Sequence, residues 1–231
     1  MYCILTIVRY SKKSGWAGFL SMAIFRLALW RKSSILFWKL MGCGKNGTFD
    51  KKPDWRQWAL LEVYEKKNPP SVQTPSSILN YWKFFKCEVL TLILEPIEGR
   101  GTWDGKEAMG KLPKQTDYDG VVAVLTRATI RLGKLKDFWT HVDGVAKQMP
   151  SADGFITSFG IGELPWIKQA TFSVWQSKEH MKAFAYNMKE HTEVVQKTRQ
   201  ENWYSEEMFV RFKILESHGS INGLNPLKRK S

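Results

Sequence analysis

Trp58-Ala59-Leu60-Leu61-Glu62-Val63-Tyr64 reads as a strand, apolar at nearly every position and rich in residues that favour a pleated backbone. A second run of the same character, Gln169-Ala170-Thr171-Phe172-Ser173-Val174-Trp175, lies in the other half of the chain. Working outward from the first run, hydrophobic period and turn signals predict strand 2–10, helix 16–30, strand 35–41, strand 57–64, helix 75–85 and strand 87–95. Around the second run they predict strand 121–131, helix 133–148, strand 154–161, strand 168–175, helix 177–203 with a break allowed, and strand 207–215. The order β-α-β-β-α-β occurs twice. Two further echoes fit the repeat, Leu5-Thr6-Ile7-Val8-Arg9 with Leu125-Thr126-Arg127, and Gly42-Cys43-Gly44 with Gly160-Ile161-Gly162.

The fold class expected is α+β, with duplicated ferredoxin-like halves forming a dimeric α+β barrel-like arrangement within one chain. The halves are 1–98 and 121–216, and a Gly- and charge-rich segment, 99–120, connects them. Residues 217–231, with Gly, Asn, Pro and Lys228-Arg229-Lys230, read as a flexible tail. The space between two facing sheets is a natural ligand cavity, and the cofactor pocket is expected in the second half.

At 231 residues and 43% apolar composition, the chain can bury a sizeable core. Cys3, Cys43 and Cys87 are odd in number and lack metal-ligand spacing, which argues against a disulfide framework or a zinc site and favours a reducing cytoplasm. The most apolar stretch, Gly15 to Trp30, is interrupted by Arg26 and is too short to span a bilayer. The formal charge is +13, and residues 1–60 hold eleven Lys/Arg against Asp50 and Asp54. That asymmetry suits either an anionic partner, such as a membrane surface or nucleic acid, or a merely solvated basic face. Helix 16–30, with Trp16, Phe19, Leu20, Ile24, Phe25, Leu27 and Leu29, either covers the first sheet or lies at a lipid interface.

The chain has no GxxxxGK[ST], strand-to-helix GxGxxG, GxSxG, HExxH or paired-carboxylate pattern, so nucleotide hydrolysis, hydride transfer and hydrolase chemistry have no support. A redox cofactor would fill that gap. No cysteine has a haem-thiolate or CxxCH context, which leaves histidine as the iron ligand if haem is present. His191 shares a helical stripe with Phe184, Met188 and Val195, so it is either a satisfied core histidine or a ligand. His141, His180 and His218 read as exposed. On strand 121–131, Leu125, Arg127, Thr129 and Arg131 share one face, where Arg127 and Arg131 can bind a carboxylate or face solvent. Phe159, the turn Gly160 to Trp166, and Gln169 complete the candidate pocket, its glycines allowing close approach of a ligand.

Phe37-Trp38-Lys39-Leu40-Met41-Gly42-Cys43-Gly44, followed by Gly47-Thr48-Phe49, resembles the spheroidene monooxygenase family of acyclic-carotenoid ketolases. Further blocks follow in the same order: Val124 to Arg131, Ile161-Gly162-Glu163-Leu164-Pro165, Gln169 to Ser173, Phe184-Ala185-Tyr186 through His191, and Trp203-Tyr204-Ser205-Glu206-Glu207. Together they run from about residue 35 to residue 215. The departures are Cys43, where a small hydroxyl residue is usual, and the segment 99–119.

The resemblance implies a haem oxygenase that uses O₂ and an electron donor to oxidise an acyclic carotenoid, such as spheroidene, at C2. Two hydroxylations there give a gem-diol that loses water to a ketone. Carried onto this chain, it implies His191 as iron ligand and haem contact, Arg131, Phe159 and Trp166 as further haem contacts, and Arg127 and Gln169 as catalytic residues. It also implies an apolar carotenoid-like substrate; no specific nucleic acid is expected, contact with a membrane surface is the reading left open by helix 16–30 and the basic first half, and a homo-oligomer is left open as well. The competing expectations are a cofactor-free α+β barrel monooxygenase and a non-catalytic module binding haem, membrane or nucleic acid.

Overall fold

The computed structural model describes residues 1–45, 47, 51–65, 73–187, 198 and 200–228, with backbone alone at 142–147, 186 and 187. The elements are β1 (Tyr2–Arg9), α1 (Gly15–Arg31), β2 (Ile35–Gly44), β3 (Pro53–Tyr64), α2 (Ser76–Phe84), β4 (Glu88–Gly101), β5 (Val122–Ile130), α3 (Leu135–Gln148), β6 (Phe155–Leu164), β7 (Lys168–Trp175), α4 (Lys178–Asn187) and β8 (Tyr204–Gly219). The eight strands close into a barrel in the order β1-β3-β2-β6-β7-β5-β8-β4, and every neighbouring pair is antiparallel. Closure removes the exposed strand edges that an open sheet would present.

Strands β1 to β4 stay adjacent in the ring, as do β5 to β8, so two seams join them. The β4–β8 seam is long, running from Leu90 opposite Gly219 to Gly101 opposite Met208, with two register shifts. The β2–β6 seam is short, pairing only Gly42 with Gly162 and Cys43 with Ile161. Its partners are the two glycine-flanked segments that echo one another in sequence. A side chain at Gly162 would place its Cβ 2.9 Å from the Lys168 carbonyl oxygen, so this close pairing of β6 with β7 requires glycine.

Alternation decides what lies inside. Leu5 and Ile7 of β1, Leu61 of β3, Leu92 of β4, Leu125 of β5, Phe172 of β7 and Phe212 of β8 belong to one buried cluster drawn from both halves. Trp103, Ala108 and Met109, from the turn after β4, join this cluster, and so does Ile221 beyond β8. The barrel interior is therefore packed rather than the open cavity expected between the sheets.

Two other expectations are corrected. Residues 217–228 are not a frayed tail, because β8 runs to Gly219, Ile221 bridges Leu224 and is buried, and Leu227 packs on the core. Strands β4 and β8 outrun their predicted ends because each supplies the other's backbone partners along the long seam.

Outside the barrel the two halves differ. Phe25 and Leu29 of α1 and Ile78 and Trp82 of α2 pack on Val8, Leu40, Trp58 and Leu60, each such burial contributing about 1.5–3 kcal/mol. Gly18 lets α1 close on the sheet, since a Cβ there would collide with the Trp58 indole. On the second half, Met181 and Phe184 of α4 meet Val122, Val124 and Trp175 at one end of the sheet. Phe138 and Trp139 of α3 meet Ile130 and Trp203 at the other. The start of α4 is tied down by a buried ion triad, in which Glu98 accepts from Lys178 Nζ at 2.9 Å and pairs with Arg211.

Candidate functional site

Arg127 sits on the inward face of β5, 1% exposed, at the barrel mouth closed by Trp103. A guanidinium there has to be paired, and three carboxylates surround it. Glu206 of β8 accepts from Nη1, while Nη2 lies 3.7 Å from Glu163 Oε1 and 3.8 Å from Asp104 Oδ1. Lys39 of β2 donates to Asp104, and to Glu163 Oε2 at 2.6 Å, and Lys168 donates to Asp104 at 2.9 Å. Three cations thus meet three anions. The Trp103 ring lies between Lys39 Nζ, 5.8 Å from its centre, and the Arg127 guanidinium at 5.4 Å, and its Nε1 donates to Glu163 at 2.7 Å.

The network bridges the short seam. Where backbone pairing between β2 and β6 stops, Lys39 and Glu163 carry the contact across. Burial opposes ionisation of Asp104, but donation from Lys39 and Lys168 outweighs it and lowers the carboxyl to about 2. Burial likewise acts against Glu206, and the Gly105 N–H, Arg127 and Thr102 together hold it below its ordinary range. Arg127 Nε and Nη2 have no hydrogen-bond partner among the described residues, so one edge of the guanidinium remains free to donate. A cleft of about 440 Å³ between α1 and β2, walled by Leu29, Trp30 and Phe37, ends on Lys39, Asp104 and Glu163.

The outward face of the same wall has another character. Three rows cross β6, β7 and β5: Gly162-Gln169-Ala128, Gly160-Thr171-Thr126 and Ser158-Ser173-Val124. They form a floor of mainly small and hydroxyl side chains between the cluster under α4 and the cluster under α3. Thr171 Oγ1 is buried there with no hydrogen-bond partner among the described residues.

The candidate residues do not form one constellation. Arg127 and Phe159 face the barrel interior, whereas Gln169 faces outward and donates Nε2 to the Leu164 carbonyl at 3.0 Å. Arg131 lies past the end of β5, exposed, its backbone N–H donating to the Trp203 carbonyl and its own carbonyl accepting from the Lys134 N–H. Trp166 is 55% exposed at the β6–β7 hairpin with φ of 65°, its Nε1 donating to the Lys51 carbonyl at 3.3 Å. His191 lies outside the described residues. His218 is exposed as expected, but His141 is half-buried against Trp203 and His180 is half-buried beside Ser177 and Asp153.

Lys39, Trp103, Asp104, Glu163 and Glu206 were missed as site residues. A signal existed for three of them: Lys39, Glu163 and Glu206, like Arg127, stand in separate blocks of the family resemblance, and the fold brings all four into one network. Trp103 and Asp104 fall in the segment read as a connector.

A haem was expected, and two places can be tested for it. The barrel interior is filled by Met41, Phe159, Phe172 and Phe212 and has no room for a macrocycle. The outward floor fits better: its side chains are small, and the Thr171 hydroxyl, buried and without a hydrogen-bond partner among the described residues, is suited to a polar ring substituent.

The architecture is that of a mixed α+β protein built on a closed eight-stranded antiparallel barrel. It is similar to the crystal structure of aldoxime dehydratase OxdRE in complex with butyraldoxime, with a TM-score of 0.60, 9% identity, and 93% of this chain and 79% of that one covered. A second aldoxime dehydratase structure matches with a TM-score of 0.57, 8% identity, and coverage of 92% and 80%. At such identities the likeness concerns the fold alone. No family model matches the sequence. Curated relatives do: spheroidene monooxygenase of Rhodobacter capsulatus is 32% identical over 231 residues, covering 98% of this chain and 95% of that protein. Spheroidene monooxygenase of Rubrivivax gelatinosus is 31% identical over 188 residues, covering 81% and 72%. The chain belongs to the spheroidene monooxygenase family.

Proposed function

We propose that the protein is a haem-dependent monooxygenase that hydroxylates, and by a second turnover ketolates, an acyclic carotenoid of the spheroidene type. The observation that carries this reading is identity of 32% to Rhodobacter capsulatus spheroidene monooxygenase over nearly the whole of both chains. The convergence of four sequence-distant blocks on one buried network supports it, because a shared structural centre links them. Duplicated ferredoxin-like halves are part of the proposal, supported by the equivalent strand orders β2-β3-β1-β4 and β6-β7-β5-β8.

In this reading the outward floor of β5, β6 and β7 would hold haem, and His191, outside the described residues, would be its iron ligand. When bound, haem supplies the activation of O₂, with electrons from an external donor. Each hydroxylation places one oxygen atom in a C–H bond and releases the other as water. The chain's own residues hold the groups around it: Thr171 offers a hydroxyl at the floor, and Gln169 is fixed in orientation by the Leu164 carbonyl. Behind the floor, Arg127 and its carboxylates lock β5, β6 and β8 together and so fix the floor's geometry. Arg127 is in this account a positioning residue.

The test is incubation of the purified, haem-loaded protein with spheroidene, a reductant system and isotopically labelled O₂. Label appearing in a hydroxylated or ketolated carotenoid is expected. Oxidation without label, or none with haem bound and reduced, would contradict the reading.

A further inference from the structure

Helix α1 is apolar on both sides. Its inner side meets the first sheet, yet Trp16, Phe19, Leu20, Ile24, Leu27 and Trp30 all stand exposed on the outer side, Trp30 by 77% and Phe19 by 65%. Their spacing, at positions 0, 3, 4, 8, 11 and 14 of the helix counted from Trp16, is a continuous helical stripe. The patch continues at one end through the exposed Trp55, whose ring lies 6.3 Å from Phe19, and at the other through the exposed Leu36 beside Trp30 in the α1–β2 cleft. A soluble protein rarely leaves so large a contiguous apolar face without a partner.

The charge around the patch identifies the partner. Lys12, Lys13, Arg26 and Arg31 are exposed around or within the stripe, and no Asp or Glu precedes Asp50 in the chain. No described helix is long and apolar enough to cross a bilayer. A short helix with exposed aromatics, basic rim residues and no acids suits burial to the depth of lipid headgroups. A second copy of this chain would bring the same uncompensated cations face to face across the interface, which disfavours self-association through this surface.

We propose that the outer face of α1 docks the protein on the surface of an anionic lipid bilayer, with the helix lying in the plane of the headgroups. Docking there sets the α1–β2 cleft, whose rim includes Trp30 and Leu36, at the lipid boundary. The docking itself does not rest on the proposed reaction. The use of the cleft to receive a lipid-dissolved substrate does.

The experiment is co-sedimentation of the full chain with vesicles of phosphatidylcholine alone and of phosphatidylcholine mixed with phosphatidylglycerol. Binding is expected to the mixed vesicles, to weaken as salt rises, and to fall about tenfold or more in a Phe19→Ser/Leu27→Ser variant that removes two buried contacts. An Arg26→Glu/Arg31→Glu variant should lose the preference for anionic lipid while keeping the circular dichroism of the parent protein. Absence of binding to mixed vesicles would overturn the proposal, and so would a dimer in solution that Phe19→Ser/Leu27→Ser converts to monomer. Equal binding to both vesicle types, unchanged by the Arg26/Arg31 reversal, would refute the anionic preference. Loss of carotenoid oxidation with vesicle binding intact would count against the proposed reaction and leave the docking standing.

Discussion

The two halves of the barrel use one strand order for different ends. Across β2, β3 and β1 the outward rows read Trp38-Glu62-Ile4, Leu40-Leu60-Thr6 and Gly42-Trp58-Val8, of which Trp38, Leu40, Leu60, Trp58 and Val8 pack in one cluster with Phe25, Leu29 and Trp82 of the covering helices. Across β6, β7 and β5 the corresponding rows are built from Gly, Ser, Thr, Ala and Gln with one Val, and among the described residues the packed clusters lie at the two ends. A face filled with bulky groups stabilises the fold through packing against its helices. A face floored with small groups suits close approach of a flat ligand in the proposed reading, provided the wall is held rigid from behind. The buried charges on Arg127, Glu163 and Glu206 do that holding on the inner side.

Substitutions can break this contrast. The largest effect is expected in the first half, where Trp82→Ala or Phe25→Ala should cost about 3–5 kcal/mol in urea unfolding while sparing the outward floor of β5, β6 and β7. Next comes Arg127→Met, which strips the central cation from Glu206 and should cost about 3 kcal/mol by the same measurement, because the carboxylates left behind are only partly served by Lys39 and Lys168.

Acid should act on the same network. Asp104 and Glu206 are held below their unfolded values, so the stability they contribute is complete above the ordinary carboxylate range. It is lost as pH falls from about 4 toward 2, where Asp104 protonates in the folded state. Unfolding midpoints followed across that window should drop more steeply for the parent protein than for an Asp104→Asn variant. The smallest effect belongs to the floor. Thr171→Val removes an unpaired hydroxyl, so stability should change by less than about 1 kcal/mol while haemin binding weakens.

Much of this was legible in the sequence, because the period of a strand states which residues share a face. The twelve helices and strands among the described residues overlap those that periodicity predicts, the predicted helix 177–203 being matched at Lys178–Asn187 with 188–197 outside the described residues, and Arg127 shares its face with Leu125 as read. Periodicity does not state where a strand ends or what stands opposite. Arg131 has the right parity but falls beyond the last paired residue of β5, and Trp166 occupies a hairpin tip. The turn holding Trp103 and Asp104 looks like a polar connector, since its Gly and charged residues give no period. Its burial follows only from closure of the barrel, which needs a plug at that mouth. Gly42-Cys43-Gly44 and Gly160-Ile161-Gly162 echoed each other in sequence, and the fold makes them partners across the short seam.

The contrast between the halves turns on haem, which in the proposed reading the floor of the second half would hold and the packed sheet of the first would not. The direct measurement is the visible spectrum of the purified protein titrated with haemin, then reduced and exposed to carbon monoxide, for the parent and for His191→Ala. The account predicts a Soret shift that saturates at equimolar haem, responds to carbon monoxide, and is lost in His191→Ala. No saturable shift in the parent protein would contradict it and favour a barrel oxygenase that works without a cofactor.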